Sequence, residues 1–184
     1  VGAEQGYIYT RSEYPHAIAA TEAAIEIATR AGWLGDNIRG SGKNFRLEVR
    51  KGAGAYVCGE ETALLESLEG KRGVVRAKPP LPALKGLFGK PTVINNVISL
   101  ATVPLILARG AKFYQDFGMG RSRGTLPLQL GGNIKHGGLV ERAFGLTLRE
   151  LIASPSASRQ VGHPTILTGS FICSVMVRIT ASCW

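Results

Sequence analysis

Between residues 52 and 62 the chain reads Gly52-Ala-Gly-Ala-Tyr-Val-Cys-Gly-Glu-Glu-Thr62, and this stretch restricts the fold more tightly than any other. Just before it, Phe45, Leu47 and Val49 alternate with Arg46, Glu48 and Arg50, the period-2 pattern of a strand with one buried face. Just after it, Thr62, Ala63, Leu64, Leu65 and Leu68 form a helical apolar stripe that Gly70 can stop. The segment is therefore a strand-to-helix turn. Gly52, Gly54 and Gly59 allow backbone angles that a Cβ forbids and close approach of a ligand to the main chain.

Free N–H groups at such a helix start favour anions or polar ring edges. The spacing is G-x-G-x-x-x-x-G, which differs from the G-x-G-x-x-G of the ordinary dinucleotide fold. Glycines in a turn are also common for structural reasons alone. Glu60 and Glu61 have two readings. As helix N-terminal acids they stabilise the macrodipole by ~0.3–1 kcal/mol. Beside a glycine-lined pocket they can instead accept hydrogen bonds from ribose hydroxyls and disfavour an extra 2′-phosphate, which points to NAD(H) rather than NADP(H). Tyr56 either covers a ring face or is a core tyrosine with its hydroxyl satisfied. About thirty residues later, Pro91-Thr-Val-Ile-Asn-Asn96 puts two amides at the head of an apolar helix. The two segments together suggest a pocket for a flat polar ligand carrying phosphate.

Gly52–Glu61, Glu66-Ser-Leu-Glu-Gly-Lys-Arg-Gly73, Lys78-Pro-Pro80 and Pro91-Thr-Val-Ile-Asn-Asn-Val97 resemble the NADH-binding FMN flavoprotein subunit of respiratory complex I. That family includes the diaphorase subunit of NAD-reducing hydrogenases and the beta subunit of soluble NAD-dependent formate dehydrogenases. Met119-Gly-Arg-Ser-Arg-Gly-Thr-Leu-Pro127 and Gln129-Leu-Gly-Gly-Asn-Ile134 look most similar to the formate dehydrogenase branch. The resemblance covers about residues 1 to 152.

The resemblance implies an α/β fold: a partial Rossmann-like FMN/NADH-binding domain over 1–120, then the start of a ubiquitin-like β-grasp domain over 125–152. It implies that FMN is held by Gly52, Gly54, Tyr56, Gly59, Glu60 and Glu61 and by the paired Asn95 and Asn96. Glu61 and Leu81 are then the expected nucleotide contacts, and Cys58 lies near the flavin unless it is simply a small buried hydrophobe. Hydride passes between the nicotinamide and the flavin, which exchanges single electrons with an iron–sulfur chain, so no side chain need act as general acid or base. The implied partners are iron–sulfur and catalytic subunits of a multi-subunit oxidoreductase. Two positions depart from the family. Leu81 stands where an aromatic residue often stacks on adenine, and Val97-Ile-Ser99 replaces the usual Val-Glu-Thr.

The family's glycine-rich NADH loop and its Cys-rich 4Fe-4S motif have no counterpart in these residues, so the resemblance implies a central fragment of a longer protein, weakly active or inactive alone. Residues 153–184 show little resemblance to the family. They contain no acid, although the chain has 13, and their abrupt onset after Ile152 suggests a shifted reading frame or else a divergent extension. This tail, β-like from Val161 to Val177, is expected to be poorly ordered or unable to complete the domain.

The rest of the chain fits an α/β reading. Pro15 can open a helix that Gly32 closes, with Glu26 and Arg30 paired on its solvent side. Val93–Ala108 reads as a buried helix, bent or interrupted near Pro104 and too short for a comfortable membrane span. Gly118–Gly124 reads as a linker, followed by strands over Leu126–Ile134 and Gly138–Phe144 and a helix start at Thr147–Ile152. A 45% hydrophobic content supports a core. Three cysteines form neither a metal motif nor a disulfide framework. With no signal peptide evident, the expected location is cytoplasmic, without membrane insertion.

The net charge of +9 calls for a rival reading. Eight Lys or Arg and no acid fall between Gly70 and Gln115, a run that can form a nucleic-acid surface. The interleaved Pro and Gly and the lack of any nucleic-acid signature argue against it. The same charge can serve cofactor phosphates or an acidic partner subunit.

Overall fold

The computed structural model describes residues 2–130, 138–153 and 174–178. In chain order the elements are β1 (Gln5–Arg11), α1 (Pro15–Arg30), β2 (Arg46–Gly52), α2 (Glu61–Leu68), α3 (Pro82–Lys85), β3 (Thr92–Asn96), α4 (Val97–Arg109), α5 (Ala111–Gln115), β4 (Gly118–Met119), β5 (Ser122–Arg123), β6 (Thr125–Leu130), β7 (Gly138–Ala143), α6 (Leu148–Ala153) and β8 (Ser174–Arg178). They gather into two compact units, residues 1–97 with 172–184, and residues 98–171.

The first unit is an α/β layer. Strands β1 and β2 run parallel, from Gln5 opposite Arg46 to Arg11 opposite Gly52, and a parallel pair needs a crossover, which α1 supplies. Pro15 occupies the first turn of α1 as expected. Gly32 at φ 72 closes it, with the Trp33 amide donating to the Ala28 carbonyl, a Schellman-type end. Glu26 and Arg30 pair at 3.6 Å on the exposed face. On β2, Leu47 and Val49 turn inward between exposed Arg46, Glu48 and Arg50.

Sheet order is β2-β1-β8-β3. Strand β8 pairs antiparallel with both neighbours, Tyr9 and Asn96 each standing opposite Ser174. The expectation of a tail that is poorly ordered or unable to complete the domain is corrected at Ser174–Arg178, which takes a place inside the sheet. Without β8, both β1 and β3 would leave a backbone edge unpaired, and the valine-containing Ser174–Arg178 segment has the propensity to fill that slot. The rest of Val161–Val177 up to residue 173, like residues 131–134 of the expected Leu126–Ile134 strand, lies outside the described residues. The core of this unit is Tyr9, Cys58, Leu64, Leu65 and Leu87, with Tyr7, Leu68 and Ile94 packed on it. Cys58 is thus a small buried hydrophobe, its thiol turned to the Ala63 carbonyl at 3.6 Å.

The segment expected as one buried helix from Val93 divides in two. Thr92-Val-Ile pairs as β3, because β-branched residues favour a ladder that β8 completes, and the helix begins only at Val97. Helix α4 runs unbroken through Pro104 and buries none of its residues; Leu107 is 81% exposed. Nor is Gly118–Gly124 a linker. It folds as the β4–β5 hairpin, with Gly118 and Gly124 at positive φ. Strands β6 and β7 then form a hairpin from Thr125 opposite Ala143 to Leu130 opposite Gly138. Helix α6 packs on it through Leu151 and Val140, beside Leu128 and Leu130, which is the strand–strand–helix order expected for the opening of a β-grasp.

Candidate functional site

The glycine turn begins where β2 ends. A Cβ on Gly52 would lie 2.7 Å from the Tyr9 hydroxyl oxygen, so glycine at this position lets the β1 tyrosine cross beneath the turn. Gly54 has φ 86 and open space where a Cβ would be, the conformation that glycine adopts at no steric cost. Gly59 is absent from the positive-φ residues. A 3-10 turn over Tyr56–Gly59 then leads into α2.

Glu60 is the N-cap of α2. Its Oε2 accepts from the Thr62 amide at 2.8 Å and the Ala63 amide at 2.9 Å. The expectation of free N–H groups at this helix start is therefore corrected, since the chain's own carboxylate occupies two of them. Burial opposes ionisation of Glu60, but the bonds from the Thr62 hydroxyl, the two amides and Lys78 outweigh it and hold the carboxyl below its usual range. Lys78 reaches Glu60 Oε1 at 3.4 Å and makes a closer ion pair with Glu61. The bond with Glu61 leads the causes that raise the Lys78 pKa.

Tyr56 is 81% exposed, which removes the reading of it as a core tyrosine. The Arg11 guanidinium lies over its ring, 5.0 Å from the centroid. Arg11 ends β1 opposite Gly52, and its Nη2 is buried with no hydrogen-bond partner. Burial raises the pKa of the neighbouring Tyr9 phenol, while its bond with Ser67 and the Arg11 charge pull it down.

Asn95 and Asn96 close β3, which runs parallel to β1 and β2 because β8 opposes both of its neighbours. The carboxyl ends of β1, β2 and β3 therefore share one sheet edge, carrying Arg11, the Gly52–Glu61 turn and the asparagine pair. With strands about 4.8 Å apart, β2 and β3 stand about 14 Å from each other across that edge. Leu81 is the half-exposed residue preceding α3.

A second polar cluster was not singled out in the sequence. Arg76 binds Glu66 at 2.5 Å, Glu69 at 2.8 Å and the Gly86 carbonyl at 3.2 Å, and Lys71 pairs with Glu69 at 2.9 Å. Burial opposes ionisation of Glu69, but Lys71, Arg76 and the Phe88 amide overcome it and bring the carboxyl to about 2. The cluster lines an open groove of about 630 Å³ with Lys85 and Phe88, which contains none of the expected site residues. The sequence signal was available: Glu66 and Glu69 are three apart on one helix face, facing an acid-free basic run. Three of that run's eight cations, Lys71, Arg76 and Lys78, are counter-ions to α2 and its flanking acids.

Parallel strands that deliver a glycine turn into a capped helix, with polar groups gathered at their carboxyl edge, define a Rossmann-like α/β fold. Residues 1–105 match the Nuo51 FMN-binding domain, and the chain belongs to that family. It is 51% identical over 152 residues to an NADH-quinone oxidoreductase subunit of Rhizobium meliloti (strain 1021), spanning 83% of this chain and 36% of the relative. It is 48% identical to the NADP-reducing hydrogenase subunit HndC of Solidesulfovibrio fructosivorans, spanning 83% and 31%. Among solved structures, the NAD+-reducing [NiFe]-hydrogenase in the H2-reduced state is similar with a TM-score of 0.72 at 38% identity, covering 88% of this chain and 26% of that one. The chain thus spans about a third of the length of these curated relatives.

Among the described residues no helix is long and apolar enough to cross a membrane, and no three His, Cys, Asp or Glu side chains converge on a metal site.

Proposed function

We propose that this chain is the flavin-binding part of an electron-transfer protein that exchanges electrons between NAD(H) and an iron–sulfur chain. The carrying observation is the carboxyl edge of the sheet, which carries the turn with exposed Tyr56 and Glu61 after β2 and the Asn95–Asn96 pair at the end of β3, in a member of the FMN-binding domain family. An exposed tyrosine face, an open turn at Gly54 and a buried guanidinium nitrogen lacking an acceptor fit a flat phosphorylated cofactor. When bound, FMN supplies the hydride-accepting and single-electron chemistry. The protein's part is to position. Tyr56 offers a ring face, Asn95 and Asn96 offer amides to the polar edge of the ring, and Glu61 offers an acceptor to a ribose hydroxyl. The 4Fe-4S cluster, the iron–sulfur and catalytic partner subunits and a cytoplasmic location belong to the complete parent under this reading.

Within the family, formate dehydrogenase is the branch favoured by Met119–Pro127, which forms the β4–β5 hairpin and the start of β6. The relatives at 48–51% identity carry the names of an NADH-quinone oxidoreductase and a hydrogenase, which favours those branches as the second reading.

The test is to titrate the purified chain with FMN and then add NADH without oxygen. A flavin absorbance band at stoichiometric loading supports the reading; no flavin retained, with the chain folded, overturns it. Rapid bleaching of that band by NADH, or ferricyanide reduction at the rate of a full-length relative, would overturn the expectation that the chain is weakly active alone.

A further inference from the structure

Arg11 is the one described side chain with a buried polar atom lacking a partner. It sits at the carboxyl end of β1, opposite Gly52 at the end of β2. Its guanidinium is held over the Tyr56 ring at 5.0 Å. That stacking satisfies the face of the cation but leaves its in-plane donors to find acceptors elsewhere. No ion pair among the described residues includes Arg11. The two carboxylates of the adjoining turn are already committed, Glu60 to the α2 amides and Lys78, and Glu61 to Lys78. A buried guanidinium donor without an acceptor is costly, and it lies on the sheet edge where folds of this class take their ligands.

We propose that Arg11 is an anchor for a phosphoryl oxygen of the bound nucleotide, with Tyr56 holding the guanidinium plane in place. The fork geometry of arginine suits a phosphate better than a single carbonyl edge. Two sources supply that chemistry, the 5′-phosphate of FMN and the pyrophosphate of NAD(H). The assignment rests on the flavoprotein reading given above, and inorganic pyrophosphate probes the anion site separately from it.

The experiment compares the unmodified chain with R11Q and R11K, titrated with FMN, riboflavin, NADH and inorganic pyrophosphate, alongside urea unfolding. Loss of one charge-assisted contact predicts FMN or NADH binding about tenfold to a hundredfold weaker in R11Q, intermediate in R11K, and riboflavin binding unchanged. Weakening of FMN alone assigns the flavin phosphate, and weakening of NADH alone assigns the dinucleotide. Equal weakening of FMN and riboflavin, or no change in any nucleotide, overturns the anchor. If the unmodified chain binds no flavin, the functional reading fails. In that case an Arg11-dependent thermal shift with pyrophosphate sustains the anion site, and its absence overturns it. Because the nitrogen has no protein partner, the urea midpoint of R11Q is expected to hold or rise. A marked fall, shared by R11K, would make Arg11 a structural residue and overturn the proposal.

Discussion

The Glu60 carboxylate faces two ways, one oxygen closing helix α2 and the other reaching toward Lys78. Glu60→Ala removes the cap and leaves the Thr62 and Ala63 amides without their acceptor, at an expected cost of about 1 kcal/mol in urea unfolding. Among the described residues, its neighbour Glu61 has only the Lys78 ion pair. We expect Glu61→Gln, made in a complete parent protein, to weaken NADH binding and to narrow the preference over NADPH, since Lys78 is then released toward a 2′-phosphate. Unchanged affinity for both nucleotides would remove Glu61 from the site. These two acids show what the sequence can and cannot say. Two carboxylates at a helix start were legible, but both of their readings were physically open. Only the φ of −77° and ψ of 138° at Glu60, with its side chain folded onto the next turn, separate the cap from the residue left facing outward.

At the level of elements, the fold depends on how the turn and the basic loop are fastened to α2. Gly52 and Tyr9 are one such fastening. Gly52→Ala forces a Cβ against the tyrosine and is expected to destabilise by about 1–3 kcal/mol. In a Tyr9→Phe background, which removes the nearest atom, part of that cost should vanish; a purely additive double-mutant cycle would show that the contact is not what requires glycine. The second fastening is the Arg76 cluster. The unfolded Glu69 carboxyl titrates near 4.5 and the folded one near 2, so the native state holds fewer protons between these values. The stability Glu69 contributes is full above about 4.5 and is lost as pH falls toward about 2. Urea midpoints measured from about pH 6 down to about pH 3 should fall steeply in the unmodified chain. Glu69→Gln should start lower and fall less, and parallel curves would refute the assignment. The strand, the turn and α2 were legible because period-2 and helical patterns adjoin there. The β3–α4 boundary was not, since Val93–Ala108 is apolar over most of its length and periodicity alone does not divide such a run.

Across the whole molecule, the sheet of the first unit joins residues from near both ends of the chain. One of its two interior positions belongs to β8, paired to β1 on one side and β3 on the other. Met176→Pro removes a backbone donor from a strand flanked on both sides, and the expected penalty is about 3 kcal/mol or more, read as a large fall in melting temperature. An unchanged melting temperature would show that the unit stands without β8. The β character of this segment was legible in the sequence, but its place in the sheet was not, because its pairing is set by two distant edges and by nothing local. The arrangement also orders events during synthesis. At about 5–20 residues per second, several seconds separate completion of β3 from the emergence of Ser174, and through that interval β1 and β3 wait with open edges. The nascent chain is then most open to pairing with the wrong strand, its own or a neighbour's, and slower elongation between β3 and Ser174 lengthens the exposure.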